Sequence, residues 1–180
     1  PATFIKNAAK AGVKLIVADP RRVGLSRYAT YNLPFNADTD VALLNAMLHV
    51  IVEEGLVNEA FVRDRTSGYA ELAANVKKFS PEAMAPICGI DAQTIREVAR
   101  LYATSKASII LWGMGISQHV HGTDNARCLI ALTLATGQIG KPGSGLHPLR
   151  GQNNVQGASD SGLIPMFYPD YQRVADPAVR

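Results

Sequence analysis

The protein has 180 residues, of which 47% are hydrophobic and 18% are charged, with a formal net charge of +3 at neutral pH. This composition suits one globular domain with a substantial core, and it excludes a disordered chain. The basic residues are scattered among 15 acidic ones, which argues against a nucleic-acid-binding surface, and no apolar run is long enough to cross a membrane.

The chain is predicted to begin with the end of a helix, over residues 5–10, which Gly12 stops. These first residues lack the apolar centre of a secretory signal, so we expect them to continue a longer protein. An apolar run then leads into Asp19-Pro20, as is typical of a buried parallel strand. The residues between this strand and Asp38 are rich in turn formers and carry no clear periodicity.

A long helix is predicted after this turn-rich stretch. Residues 41–51 are apolar on two faces, so the helix is expected to pack on both sides. Thr39 or Asp40 is expected to cap it, and Gly55 to end it. His49, within this apolar helix, is expected to be a buried and hydrogen-bonded histidine.

Several shorter helices follow. One or two are predicted within residues 56–79, another begins at Ser80-Pro81, and the last begins after Asp91, which caps it. The helix after Asp91 has an apolar face with helical spacing, formed by Ile95, Val98, Ala99 and Tyr102.

A second buried strand is predicted over residues 108–112, where it opens into a glycine-containing turn. A helix capped by Thr123 follows and ends before Gly137. From Gly140 onward the periodicity stops, and most of the remaining chain is predicted to be a glycine-rich loop. A loop of this length is usually functional or connects to other structure.

The order of these elements predicts an α/β fold, a parallel sheet flanked by helices that resembles a dinucleotide-binding domain and is followed by a long C-terminal glycine-rich loop region. We expect an α/β domain over residues 1–142 and a loop-rich segment that contains active-site residues over residues 143–180.

In open parallel sheets, ligands bind beyond the carboxyl ends of the strands. Acidic groups there are suited to accept hydrogen bonds from a base or ribose, and glycines let a ligand approach the backbone. The alternative is that each acid only stops a strand or caps a helix. The candidates at the two strand ends and the long-helix start are Asp19, Pro20, Arg21, Asp38, Asp40, Gly113, Met114, Gly115 and Gln118.

The stretch that begins at Arg150 is the strongest candidate for a binding site. Amide side chains such as Gln152 and Asn153 offer donors and acceptors together, which suits a heterocycle with many polar edges. The arginine adds a planar grip for a carboxylate or phosphate. The alternative is a glycine-rich connection whose amides satisfy their own backbone.

Other polar residues favour no site. His119 and His121 have no third partner nearby in the sequence, so we expect them in a solvated loop rather than as metal ligands. Cys88 and Cys128 are flanked by apolar residues and form neither a metal clamp nor a disulfide framework. They are expected to be buried thiols in a reducing compartment, which favours a cytoplasmic location.

Five segments in order resemble the molybdopterin-dependent oxidoreductases, and among them the catalytic subunits of formate dehydrogenases. The resemblance runs from about residue 5 to the end of the chain. It is carried by LIVADPRR, NADTDVALLNAMLHVIVEEGL, FVRDRTSGYAEL, ILWGMGISQHVHGTDNAR and the C-terminal stretch that contains RGQNNVQG and YPDYQ.

The resemblance implies an enzyme that oxidises formate at molybdenum or tungsten held by two molybdopterin guanine dinucleotides. Arg150 matches the arginine that holds the substrate carboxylate. This sequence reads NADTD where relatives often have Pro-Gly-Thr-Asp, which weakens the assignment of Asp38 more than that of Asp40. The resemblance assigns cofactor contacts to Ala18, Asp19, Pro20, Arg21, Asp38, Thr39, Asp40, Met114, Gln118 and Gln152, and we group Gly113, Gly115, Gly151 and Asn153 with them as neighbours in the same turns.

The family's metal-ligating cysteine or selenocysteine and its 4Fe-4S cysteines would lie upstream, so we expect this stretch alone to be inactive and to contribute no metal ligand. Formate, the remainder of the catalytic subunit and electron-transfer subunits are the implied partners. Two alternatives stay open: a pterin-free structural subunit with the same fold, and another molybdopterin oxidoreductase such as a nitrate reductase.

Overall fold

A computed structural model describes residues 2–179 as two compact units, one ending at His147 and the other beginning at Pro148. The α/β class predicted from the sequence is confirmed. In chain order, the elements are α1 (Ala2–Lys10), β1 (Ile16–Ala18), β2 (Tyr31–Leu33), α2 (Asp40–Glu53), α3 (Glu59–Arg65), α4 (Tyr69–Val76), α5 (Pro81–Cys88), α6 (Ala92–Thr104), β3 (Ile109–Trp112), α7 (Met114–Ser117), α8 (Gly122–Ala135), β4 (Gly145–Pro148) and α9 (Val155–Asp160).

The strands β1 and β2 form a parallel pair in which Val17 lies opposite Asn32. The sequence predicted β1 and missed β2, which is three residues long and lies directly before Pro34. So short a segment has too little periodicity to be recognised alone, and its pairing with β1 makes it a strand. Because the two strands are parallel, their carboxyl ends meet at one edge.

Helix α2 is the centre of the first unit, with α5, α6 and α8 packed around it. Its side chains Leu48, Val50 and Ile51 are fully buried, which confirms that the helix is packed on both sides. His49 is mostly buried too, and its Nδ1 lies 3.0 Å from the carbonyl oxygen of Val76.

The shorter helices largely follow the sequence. Ser80 accepts a hydrogen bond from the backbone N–H of Ala83, and Asp91 accepts one from that of Thr94, so both predicted caps are confirmed. The predicted inner face of α6 is also confirmed, since Ile95, Val98, Ala99 and Tyr102 are all buried.

Two predicted caps are wrong. Helix α8 begins at Gly122, one residue before the predicted cap Thr123, and no side chain caps it. Thr39 lies at the capping position of α2, but its hydroxyl donates to the carbonyl oxygen of Asn36 at 2.6 Å and not to the helix. A threonine hydroxyl can bond several nearby backbone groups, and the preceding turn decides which.

The four strands do not form one continuous sheet: β1 pairs with β2, and β3 pairs with β4. The backbone N–H of Gly145 donates to the carbonyl oxygen of Ser108, 3.2 Å away, at the start of the second pair. The prediction of a mostly loop-like C-terminal region is wrong in two places, because β4 and α9 lie within it. Within residues 2–179, no helix is long and apolar enough to span a membrane.

Ion pairs between α2 and α6 give the first unit an acid-sensitive contact. Arg100 grips Glu54 with two hydrogen bonds, of 2.7 and 2.8 Å. These bonds hold the pKa of Glu54 below its ordinary value of 4.5. A carboxyl with a lowered pKa stabilises the folded state above that ordinary value, and this contribution is lost as the pH falls through the lower, folded-state pKa.

We therefore expect Arg100→Met to lower the thermal midpoint of this part of the full-length protein by about 2 °C at pH 7. The difference from wild type should shrink below pH 4.5, where Glu54 becomes protonated in the unfolded chain. Scanning calorimetry across this range checks the prediction. The control is Arg63→Met, because Arg63 is 73% exposed and pairs only with the adjacent Asp64 among the described residues; an equal pH dependence in both variants would contradict the assignment.

Candidate functional site

The parallel pair places two of the predicted segments at one edge. The backbone N–H of Asp19, just after β1, donates to the carbonyl oxygen of Leu33, the last residue of β2. The chain leaves β2 at that point and reaches Asp38 five residues later and Asp40 seven residues later. The strand-end segment and the start of α2 therefore both follow the carboxyl edge of this pair.

Asp19 has a local role at this edge. Its Oδ1 accepts from the backbone N–H of Arg21 at 2.8 Å and lies 3.5 Å from the Nε of the same residue. A hydrogen bond from the backbone N–H two residues later to an aspartate side chain defines an Asx-turn. Asp19 therefore does end the strand. Ala18, Pro20 and the Arg21 guanidinium are exposed around it, which leaves the turn accessible to a ligand.

Asp40 is a buried acid in the first turn of α2, only 5% exposed. Burial raises the pKa of its carboxyl, as does the charge of Asp38, whereas its own backbone N–H and the charge of His119 oppose the rise. A carboxylate in such a place is stabilised by any added hydrogen-bond donor. The site is therefore suited to a ligand that donates N–H groups.

The turn after β3 exposes backbone to solvent. Gly113 is extended, Met114 begins the single turn of α7, and Met114 and Gln118 are both exposed. A Cβ added to Gly115 would meet no atom within 4 Å. Within residues 2–179 the space beside this glycine is open, so a flat or phosphate-bearing group can approach its backbone.

Helix α8 holds this turn in place. The buried Asn125 donates from its Nδ2 to the carbonyl oxygen of Ile116 at 2.9 Å. Gly122 lies so close to the turn that an added Cβ would come within 1.9 Å of the carbonyl oxygen of Ser117. The turn is thus fixed by a hydrogen bond and by direct backbone packing.

His119 lies in a loop, as expected, but its side chain is only 26% exposed and joins the turn to the start of α2. Its Nδ1 lies 3.0 Å from Oδ1 of Asp38, and its Nε2 lies 2.7 Å from the carbonyl oxygen of Gly115. His121, two residues later, is exposed. Two segments that the sequence singled out separately, Asp38–Asp40 and Gly113–Gln118, are therefore brought together by one side chain.

The second unit carries the predicted residues Arg150, Gly151, Gln152 and Asn153, and all four are exposed. Within residues 2–179, Arg150 forms no ion pair. The guanidinium is thus presented to solvent ahead of α9, with its planar donors free for an anion.

The amides next to Arg150 divide into two groups. Asn154 caps α9 by accepting from the backbone N–H of Gly157 at 3.2 Å, and its own φ of 55° is left-handed. Gln156 donates to Asp160 and to the hydroxyl of Tyr171. Backbone capping and local contacts account for these two, whereas the exposed Gln152 and Asn153 are the amides left for a ligand.

The geometry of the first unit fits a ligand with a polar heterocycle and a phosphate. It offers a buried acceptor at Asp40, an open glycine backbone at Gly115, and an indole N–H of Trp112 that is buried without a partner among the described residues. A buried donor without a partner is costly, and Trp112 directly precedes the turn. These are the observations that favour a nucleotide-bearing ligand here.

Metal ligation has no comparable support in this part of the chain. Across residues 2–179, no three histidine, cysteine, aspartate or glutamate side chains are grouped as a metal site requires. Cys88 and Cys128 are both buried, and burial raises the pKa of the Cys128 thiol to about 11. Cys128 is therefore a thiol and not a thiolate ligand at neutral pH.

Sequence reasoning missed three residues that build the site: His119, Gly122 and Asn125. Their roles are not visible in the sequence, because these roles depend on contacts with segments that are distant in the chain or in the turn beside them. Only the HVHG stretch, with two histidines before a glycine, marks the region as unusual.

Comparison with known proteins finds similar chains. Residues 2–174 match the family described as molybdopterin oxidoreductase. The chain is 46% identical to formate dehydrogenase H of Escherichia coli over 179 residues, or 99% of this chain and 25% of that protein. It is 43% identical to the alpha subunit of an F420-dependent formate dehydrogenase of Methanocaldococcus jannaschii over 96% of this chain and 26% of that protein.

Among solved structures, acetylene hydratase from Pelobacter acetylenicus is similar, with a TM-score of 0.74 and 33% identity over 77% of this chain and 19% of that one. The chain thus spans about a quarter of the length of the curated relatives it matches.

Proposed function

Since the chain belongs to the molybdopterin oxidoreductase family, we propose that it is part of the catalytic subunit of a formate dehydrogenase. The observation that carries this proposal is the 46% identity to formate dehydrogenase H, which extends over 99% of the chain. The chain spans about a quarter of the length of these relatives, so the proposed activity belongs to the full-length protein.

In the proposed enzyme, the first unit binds the guanine dinucleotide end of the molybdopterin cofactor. Asp40 supplies a buried carboxylate for the N–H groups of a guanine, because an added donor offsets the cost of burying that charge. Asp19, Arg21 and the exposed turn around them are assigned to a second stretch of the same ligand. Gly113, Gly115 and Gln118 line the open turn, where the missing side chains permit close approach.

The second unit binds the substrate in this proposal. Formate is a small anion that must present its C–H bond in a defined direction, and the planar guanidinium of Arg150 grips both oxygens at once. Gln152 and Asn153, which are exposed beside it, are assigned to polar edges of the pterin. Molybdenum or tungsten, when bound, would accept the two electrons released as formate becomes carbon dioxide and a proton.

The remaining features of the proposed enzyme lie outside this stretch. We assign the metal-ligating cysteine or selenocysteine and a 4Fe-4S cluster to the upstream part of the subunit, and a cytoplasmic location to the whole. Electron-transfer subunits are the proposed partners. These assignments rest on the family resemblance, whereas the nucleotide-binding residues are supported by the geometry of Asp40, Gly115 and Trp112.

Two alternatives are less well supported. A pterin-free structural subunit has no use for an open glycine turn beside a buried acid, and both are present. A nitrate reductase or another relative in the same family is compatible with the fold. The high identity to two formate dehydrogenases favours formate as the substrate over nitrate.

The proposal is tested with the full-length protein, purified without oxygen. We expect the full-length protein to catalyse the reduction of an artificial dye by formate. We also expect it to contain molybdenum or tungsten and pterin in a fixed ratio to protein. Residues 1–180 alone are expected to reduce none. Nitrate-dependent oxidation of reduced dye without any formate activity would contradict the assignment, and formate-dependent reduction by the isolated stretch would show that the metal site lies within it.

A further inference from the structure

His119 forms a bridge between two segments, because each of its ring nitrogens lies within hydrogen-bond distance of an oxygen in a different segment. Both of its partners, the carboxylate of Asp38 and the carbonyl oxygen of Gly115, accept hydrogen bonds. Each ring nitrogen faces an oxygen acceptor, so the side chain joins the two segments through its two nitrogens. A hydrogen bond from the ring to the Asp38 carboxylate is charge-assisted and stronger than one between neutral groups.

The backbone conformation of Asp38 also indicates that its contact with His119 is functional. Its φ is +65°, a left-handed conformation that is uncommon for residues other than glycine, asparagine and aspartate. Such conformations persist when the surroundings determine them, and they cluster at functional sites. Here the conformation places the carboxylate 3.0 Å from the imidazole, although Asp38 itself is 60% exposed.

Resting on the proposed function, we propose that His119 is a positioning residue for cofactor binding. Anchored by Asp38, it holds the carbonyl of Gly115 and thereby fixes the turn after β3 against the start of α2 before any ligand arrives. The two groups of cofactor contacts are then presented at a constant separation, so less conformational freedom is lost on binding. Asp38 accordingly anchors His119, and Asp40 is the acid left for the ligand.

Asn125 and Gly122 hold the other side of the turn, at Ile116 and Ser117. They tie the turn to its own following helix α8. His119 alone among these three residues reaches α2. Removing it is expected to leave the turn folded but free to move relative to Asp40, which separates its role from that of a residue needed for folding.

The test uses the full-length protein and the variants His119→Ala and Asp38→Gly. Hydrogen exchange, read by mass spectrometry in cofactor-free protein, should become about tenfold faster for residues 113–118, since a charge-assisted hydrogen bond is lost. Exchange in α6 should stay unchanged. The double variant should be no worse than either single one, because both changes break the same bridge.

The glycine substitution discriminates between two roles of Asp38. Glycine adopts a φ of +65° without strain, so if Asp38 only shapes the backbone, Asp38→Gly will be neutral or stabilising. If it anchors His119, the turn will loosen as in His119→Ala. Asp38→Asn, which keeps an acceptor oxygen, should retain more protection than Asp38→Gly. The matched control is His121→Ala, since His121 is exposed in the same loop and forms no side-chain hydrogen bond in the part of the chain that the structure describes.

A second readout concerns the cofactor. After dilution, molybdopterin measured by the fluorescence of its oxidised form should be lost about tenfold faster from His119→Ala than from His121→Ala. Equal loss from both, or additive effects of the two bridge substitutions, overturns the positioning role. A wild-type protein that binds no molybdopterin refutes the proposed function and the purpose of the bridge together. Normal retention in the wild type and in His119→Ala refutes the bridge alone.

Discussion

Replacing Arg150 by lysine in the full-length enzyme is expected to raise the KM for formate and to lower kcat. Lysine keeps the positive charge but cannot present two parallel N–H donors to the two carboxylate oxygens. Formate then binds in several orientations, few of which direct its C–H bond at the metal centre. We expect kcat/KM to fall by about 10- to 100-fold, measured by formate-dependent dye reduction.

Two controls make this result interpretable. Arg173→Lys changes another exposed arginine of the second unit and should leave both constants unchanged. The pterin and metal content of Arg150→Lys should equal that of the wild type, because the lost contact concerns the substrate. Unchanged kinetics in Arg150→Lys would remove this residue from the mechanism, and a loss of cofactor would reassign it to cofactor binding.

Replacing Gly122 by alanine is expected to destabilise the first unit and to displace the turn after β3. The added Cβ would lie 1.9 Å from the carbonyl oxygen of Ser117 and 2.6 Å from its carbonyl carbon. Both atoms belong to the backbone, so no flexible side chain can move aside. Either the turn shifts, which separates it from Asn125, or α8 starts later, and we expect a loss of about 2 kcal/mol or more.

The sign of this effect is diagnostic. Alanine normally stabilises a helical position relative to glycine by about 0.5–1 kcal/mol, so destabilisation at Gly122 can only come from the close contact. Gly24→Ala is the matched control, because its added Cβ meets only the end of the Arg27 side chain, at 4.0 Å. Urea unfolding and cofactor retention of the full-length variants check the prediction, and a Gly122→Ala protein as stable as Gly24→Ala would contradict it.

Local chemistry determined much of the fold. Ser80 and Asp91 each precede an apolar periodic segment and cap the helix that it forms. The capping bonds run to backbone groups only three residues away, so the local sequence is enough to predict them. The apolar stripe of α6 likewise predicts its buried face. The lack of an outer polar face on residues 41–51 predicts a central helix, since such a helix is stable only when covered on several sides.

The elements that the sequence did not predict depend on distant partners. The strand β2 exists because Tyr31–Leu33 pairs with β1. Thr123 looks like a cap, but α8 begins at Gly122, which packs directly against Ser117. In the second unit, Asn154 turns part of an expected loop into α9.

For the candidate site, local sequence indicated which short segments carry polar groups and glycines at strand and helix ends, and resemblance assigned them to a family. Which of these segments meet was decided by tertiary structure, as was the recruitment of His119, a residue expected to be solvated. The physical reason is that hydrogen bonds such as that from His119 to Asp38 join residues 81 positions apart. Composition and periodicity describe only neighbours along the chain, whereas burial of α2 against α8 brings such residues within 3.0 Å of each other.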